Sequence, residues 1–192
     1  MTAGRQSVSI AKDWCTPPAI VASVKATFGG AIELDPCSNE YSLVGAAREY
    51  VLPETDGLKA PWDAKTIYVN PPYGSDPDRG TRIIHWFERI VGAARRGSEV
   101  IALVPVAPNT RHWKEYVFPN AAAICFLAQP RVRFYIRGTE DPKGAPMSCA
   151  VIYWGPDWQN FGREFRKHGA VVPLHEAHLP DADLTLDRLW AV

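Results

Sequence analysis

The sequence has no net charge. Its 21 Lys and Arg residues balance 21 Asp and Glu residues. Any surface for a polyanion must therefore come from local clusters and not from a generally basic chain. No apolar run approaches the ~18 residues of a membrane span. Residues 1–12 contain no apolar signal core, so they are expected to be a loose leader on a cytoplasmic, non-secreted protein. Cys15, Cys37, Cys125 and Cys149 form no CxxC pair and sit at no metal-ligand spacing from a histidine. They are expected to be reduced thiols, with neither a metal nor a disulfide. His175 and His178 are bracketed by Pro173 and Pro180, with no cysteine or carboxylate pattern to complete a metal site. There is no internal repeat, no low-complexity linker and no G-x-G-x-x-G loop to cradle a phosphate. What remains is 192 residues with 46% hydrophobic and 22% charged content, read as one globular domain over residues 1–192.

Apolar segments with strand and helix periodicities alternate along that domain. Thr16-Pro17-Pro18 predicts a helix to about Phe28, capped by Thr16 with Pro17 at its first position. Ala31–Asp35 predicts a buried strand, 39–48 a helix, Glu49–Leu52 a strand and Thr66–Val69 another. Ile83, Trp86, Phe87, Ile90, Val91 and Ala94 form a 3.6-residue stripe, so 82–95 predicts an amphipathic helix with that stripe in the core. Glu99–Val106 is nearly all apolar, as in a parallel strand covered on both faces. Thr110–Val117 predicts a short helix, Ala122–Leu127 a strand, and Trp158–His168 a helix. Arg131–Ile136 and Ser148–Trp154 are expected to pair as an antiparallel hairpin at a sheet edge. Residues 170–192 hold a short strand and a tail without assigned structure. The alternation implies an α/β fold with a mixed sheet.

The chemistry concentrates in Asn70-Pro71-Pro72-Tyr73, directly after the Thr66–Val69 strand. A strand ending in such a turn places its last side chains at the carboxyl edge of a sheet, where α/β proteins bind ligands. The Asn70 side-chain oxygen and the Pro71 carbonyl can together accept both hydrogens of one planar NH2 group. Pro72 restricts the backbone, and Tyr73 offers a flat face to a ring. A conjugated amine is a poor nucleophile, because its lone pair is delocalised into the ring. Two acceptors on its hydrogens favour a pyramidal nitrogen and stabilise the charge that develops on it. The set suits the exocyclic amine of a nucleobase and methyl transfer from a sulfonium donor held in line. The plain alternative is a proline-rich surface turn.

Asp35, at the predicted end of the first strand, is a candidate acceptor for a cofactor amine or ribose. Asp56, in Thr55-Asp56-Gly57, is a second candidate, facing an adenine amine. Each could equally be a turn aspartate. Basic groups near the same edge are candidates for phosphate contacts. They are Arg79 and Arg82, then Arg111, His112 and Lys114 around Trp113, then Arg131, Arg133 and Arg137. The loop 76–81 is acidic as well as basic, and a mobile lid is the competing reading.

Trp14-Cys15-Thr16-Pro17-Pro18, Leu34-Asp35-Pro36-Cys37, Asp56-Gly57-Leu58, Trp62, Asn70-Pro71-Pro72-Tyr73-Gly74, Arg131-Val132-Arg133-Phe134 and Ala145-Pro146-Met147-Ser148 occur in that order. In these motifs the chain resembles the phage DNA N-6-adenine-methyltransferase (Dam-like) family over about residues 13–155. The resemblance implies a Rossmann-like S-adenosyl methionine-dependent methyltransferase fold, adenine in DNA as acceptor, and the cytoplasm of a bacterial host as location. It carries the catalytic role to Asn70, Pro71, Pro72 and Tyr73, and cofactor contacts to Thr16, Asp35 and Asp56. The chain departs from wider methyltransferase patterns in lacking a glycine-rich turn after Asp35. Cytosine N4 is a similar conjugated amine and stays open as acceptor. So do RNA, a protein glutamine amide, and a non-catalytic nucleic-acid-binding module of the same shape.

Overall fold

The computed structural model describes residues 14–128 and 131–174. The expectations for 1–12 and for the tail from 175 onward, with His175 and His178, lie outside the described residues.

Among the described residues, twelve strands and three α-helices follow one another. The strands are β1 (Trp14–Cys15), β2 (Leu34–Ser38), β3 (Arg48–Val51), β4 (Thr66–Val69), β5 (Ser75–Asp76), β6 (Thr81–Arg82), β7 (Glu99–Pro105), β8 (Ala123–Leu127), β9 (Tyr135–Ile136), β10 (Thr139–Glu140), β11 (Cys149–Trp154) and β12 (Gly169–Pro173). The helices are α1 (Pro18–Thr27), α2 (Ile83–Arg95) and α3 (Trp158–Phe165), with a π-helical turn at Trp113–Val117. The main sheet has seven strands in the order β12-β8-β11-β7-β4-β2-β3. β3, β2, β4 and β7 are mutually parallel. β11 is antiparallel to both its neighbours, β7 and β8, so β8 runs in the direction of β7. The chain thus makes a mixed α/β sheet.

Strand alternation sorts the core onto two faces. Val100, Ala102 and Val104 of β7 pack with Trp86, Phe87 and Ile90 of α2. Ile101 and Leu103 face the other way, toward Ile20 and Val24 of α1 and Phe161 and Phe165 of α3. The 83–90 stripe is core, as the periodicity implies: Phe87 and Ile90 are fully buried.

Four local expectations are corrected. Thr16 does not cap α1. Pro17 occupies the cap position and Pro18 opens the helix. The first sheet strand begins at Leu34 and runs on through Ser38, past Asp35. No helix forms over 39–48. There the Asn39 and Ser42 side chains accept from the Tyr41 and Val44 backbone N–H groups, and Gly45 has φ 58°. Such side-chain bonds compete with helical ones. The segments 131–136 and 148–154 do not pair. β11 lies inside the sheet with all six residues buried, and 135–136 belongs to a small separate sheet ordered β1-β9-β10. Arg137 and Gly138, both at positive φ, turn β9 into β10.

Candidate active site

The carboxyl ends of β2, β3, β4, β7 and β8 share one edge, so the loops that follow them do as well. Strand succession steps outward from β2 to β3, then crosses back to β4 and on to β7. That reversal between β2 and β4 is a topological switch point, where a crevice opens at the strand ends. A cleft of about 530 Å3 lies there, lined by 36–41, 50–57, Pro72, the β5–β6 hairpin and Trp86. Its size is that of a small-molecule site.

Gly57 forms part of the cleft wall. A Cβ at this position would overlap the Pro36 carbonyl oxygen and stand 2.7 Å from the carbonyl carbon. The Gly57 carbonyl also accepts from Trp62 Nε1 at 2.8 Å. Gly57→Ala is therefore expected to push the turn off the end of β2 and to cost about 1–3 kcal/mol or more. Thermal unfolding checks this, and an unchanged midpoint contradicts the close approach.

Asp56 lines the cleft. Its Oδ1 accepts from the Leu58 N–H at 3.0 Å and meets Arg79 at 2.6 Å, while Lys59 lies 3.6 Å from Oδ2. Partial desolvation raises its carboxyl pKa, but the Arg79 hydrogen bond and the other opposing contributions outweigh that and hold the pKa below its ordinary value. Arg79, a candidate DNA contact by sequence, is thus paired within the cleft. Both residues line the cleft, so the pair joins the β5–β6 hairpin to the 50–57 segment.

Asp35 is only 3% exposed, not an open edge carboxylate. It lines a second cavity of about 10 Å3, room for no more than one water, with Trp14, Thr16 and Asn70. Cys37, Ser38 and Asn39 line both spaces, so one wall separates them. Burial pushes the Asp35 carboxyl up to about 7. The Cys37 backbone N–H opposes this at 3.1 Å, and Glu49 adds to it. No cation offsets the charge among the described residues. Thr16 is also buried, its hydroxyl 2.7 Å from that of Tyr68. It borders the small cavity and is absent from the main cleft's lining.

Asn70 directly follows β4 and lines the small cavity. Its Nδ2 donates to the Trp14 carbonyl at 3.0 Å, and its Oδ1 accepts from the Tyr73 hydroxyl at 2.9 Å. Pro71 is buried and Pro72 lines the main cleft. The Tyr73 ring stands nearly perpendicular to Trp14 and to Phe134, each 6.0 Å away. Trp14 and Phe134 stack at 4.8 Å. The face expected to meet a base is thus folded against an aromatic cluster, and the acceptor expected to meet an amine is held by a hydroxyl.

Of the other basic candidates, Arg111 pairs with Glu115 at 2.8 Å and Arg133 with Glu140 at 3.1 Å. Exposed pairs of this kind are weak enough to yield to a polyanion. Arg131 donates to the Ala145 carbonyl at 3.4 Å. Trp113 is not available for stacking. It is fully buried and bonds the Pro105 carbonyl. All these groups follow β7 or β8 and so share the carboxyl edge with Asn70. Two residues that sequence reasoning passed over also belong to the site. Phe134, the last residue of Arg131-Val132-Arg133-Phe134, packs against Trp14 and Tyr73. Glu54 lines the cleft just beyond β3, about 20 residues past Asp35, the spacing at which acidic groups meet a ribose.

An α/β sheet with a ligand-sized cleft at a switch point, and Asn-Pro-Pro-Tyr directly after the strand beside it, defines the class: a mixed α/β fold with a cleft of small-molecule size at its strand ends. A family model described as DNA N-6-adenine-methyltransferase (Dam) matches residues 5–176, and the chain belongs to that family. It is also similar to the DNA N-6-adenine-methyltransferase of Haemophilus phage HP1 (strain HP1c1), with 25% identity over 121 residues. That match covers 63% of this chain and 65% of the relative, so the chain spans just under two thirds of the relative's length. No solved structure matches.

Proposed function

We propose that the protein is a single-domain, Rossmann-like methyltransferase that moves a methyl group from S-adenosyl methionine to N6 of adenine in DNA. The observation that carries the reading is the placement of Asn70-Pro71-Pro72-Tyr73 directly after β4 at the switch point of the sheet, with Pro72 on the wall of the ligand-sized cleft and Asn70 on the small cavity behind it. Family membership supports adenine over cytosine as the acceptor.

The cleft fits this cofactor on chemical grounds. It has no phosphate-binding glycine loop, and Glu54 on its wall can accept from a ribose hydroxyl. Behind that wall are a buried carboxylate without a cation and a buried N–H without a partner, Trp14 Nε1. Groups left so suit a charged amino-acid or sulfonium end nearby. Asp56 and Glu54 would hold the adenosine part, and Asp35 would offset the positive end. Bound S-adenosyl methionine supplies an electrophilic methyl group. Asn70 Oδ1 and the Pro71 carbonyl accept the N–H groups of the target amine and hold its lone pair toward that methyl group. Tyr73 leaves its aromatic cluster to stack on a flipped base. Tritium passing from S-adenosyl methionine to DNA tests the reading. No incorporation with folded protein overturns it.

DNA contact is assigned to Arg111, Lys114, Arg131 and Arg133, with Arg79 removed from that set. Replacing Arg111 and Lys114 together, or Arg131 and Arg133 together, is expected to weaken DNA binding without altering cofactor affinity. Each lost phosphate contact lowers the log–log salt slope by about 0.9 on duplex DNA. Fluorescence anisotropy at several salt concentrations measures it. Unaltered slopes in both double variants move RNA or a protein amide ahead of DNA as substrate.

A further inference from the structure

We propose that the backbone carbonyl of Trp14 is a positioning group that turns the Asn70 oxygen toward the substrate amine and commits this site to an amide at position 70. The inference rests on the methyl-transfer reading above. A carbonyl oxygen only accepts, so the group 3.0 Å from it on Asn70 must be the NH2. The side-chain oxygen then points the other way, where the Tyr73 hydroxyl donates to it. The same hydroxyl lies 3.2 Å from the Leu103 carbonyl, a second partner to turn to when an amine takes the Asn70 oxygen.

The carbonyl is held independently of Asn70. Trp14 pairs with Ile136 across β1 and β9, and its ring stacks on Phe134. Residue 14 thus arrives from 56 positions away on a scaffold made by the 134–136 segment. Substrate entry replaces the Tyr73 contact and leaves the Trp14 contact in place, so the amide does not rotate during the exchange. An aspartate of nearly equal size at position 70 would set an anionic oxygen against the Trp14 carbonyl. Asp35 lines the same small cavity and would repel it further. Only the protonated acid could donate as the amide does.

The test is Asn70→Asp, with kcat measured at saturating S-adenosyl methionine and DNA from about pH 6 to about pH 9. The titratable groups around position 70 are Cys15 of β1, Asp35 and Cys37 of β2, Tyr68 of β4, Tyr73, and Cys149 of β11. The wild type carries the same groups, so the ratio of variant to wild type isolates the new acid. That ratio is expected to rise about tenfold or more as pH falls. A flat ratio, whether near wild-type activity or near background, overturns the proposal. Side-chain amide exchange in the wild type gives a second measure by NMR. The Asn70 Nδ2 proton is expected to exchange at least about tenfold more slowly than an unprotected amide. Free exchange overturns the proposal even if the variant does not fold. A wild type that transfers no methyl group overturns the proposed function instead, and amide exchange still decides the role of Trp14.

Discussion

Asn70→Ala is expected to bind S-adenosyl methionine as the wild type does and to transfer methyl groups on the order of 10²-fold more slowly, or worse. Asn70 faces Trp14, Tyr73 and the small cavity, and it is not among the residues lining the large cleft. Its loss removes an acceptor for the target amine and leaves the cofactor walls standing. It also frees the Tyr73 hydroxyl, which keeps the Leu103 carbonyl as a partner. Calorimetry of the cofactor and single-turnover transfer on DNA separate the two effects. Near-normal transfer rates contradict the catalytic assignment, and lost cofactor affinity moves Asn70 into the cofactor site.

Asp35→Asn carries the second large effect, with opposite signs for stability and binding. In the fold the carboxyl titrates at about 7, against an ordinary 3.8, chiefly because burial disfavours its charge. Folding therefore favours the protonated acid. That contribution to stability is full below the unfolded value, falls as pH rises toward about 7, and is gone above it. A rise of some three units corresponds to about 4 kcal/mol at most. Asp35→Asn is expected to raise the melting point of the cofactor-free protein at about pH 8 and to flatten its decline above about pH 4. The same change is expected to weaken S-adenosyl methionine binding, because the positive end of the cofactor favours the carboxylate. Near neutral pH the wild type should release protons on binding and the variant should not, which calorimetry in buffers of different ionisation enthalpy reads directly. Equal proton release in both proteins contradicts the role given to Asp35.

What the sequence disclosed about this site follows the range of the forces involved. Thr66–Val69 and its Asn-Pro-Pro-Tyr end are legible because strand propensity and turn chemistry act over a few residues. The α2 stripe is legible for the same reason. Burial of Asp35 is not, since β2 runs on through Pro36 to Ser38 and the loop that covers its end is set by tertiary contacts. The approach of Trp14 to Asn70 depends on β1 pairing with β9, which no local pattern announces. The misplaced hairpin had a readable sign against it. Cys149–Trp154 is apolar at every position, which marks a strand covered on both faces, and such a strand belongs inside a sheet. Arg79 looked like one more basic loop residue because its partner, Asp56, sits on a different loop.

The central claim is tested most directly by incubating DNA with the protein and S-adenosyl methionine, digesting it to nucleosides and analysing these by mass spectrometry. The account predicts N6-methyladenine from the wild type and a loss of that product on the order of 10²-fold with Asn70→Ala. N4-methylcytosine as the product, or DNA left unmodified by folded, cofactor-binding protein, would contradict it.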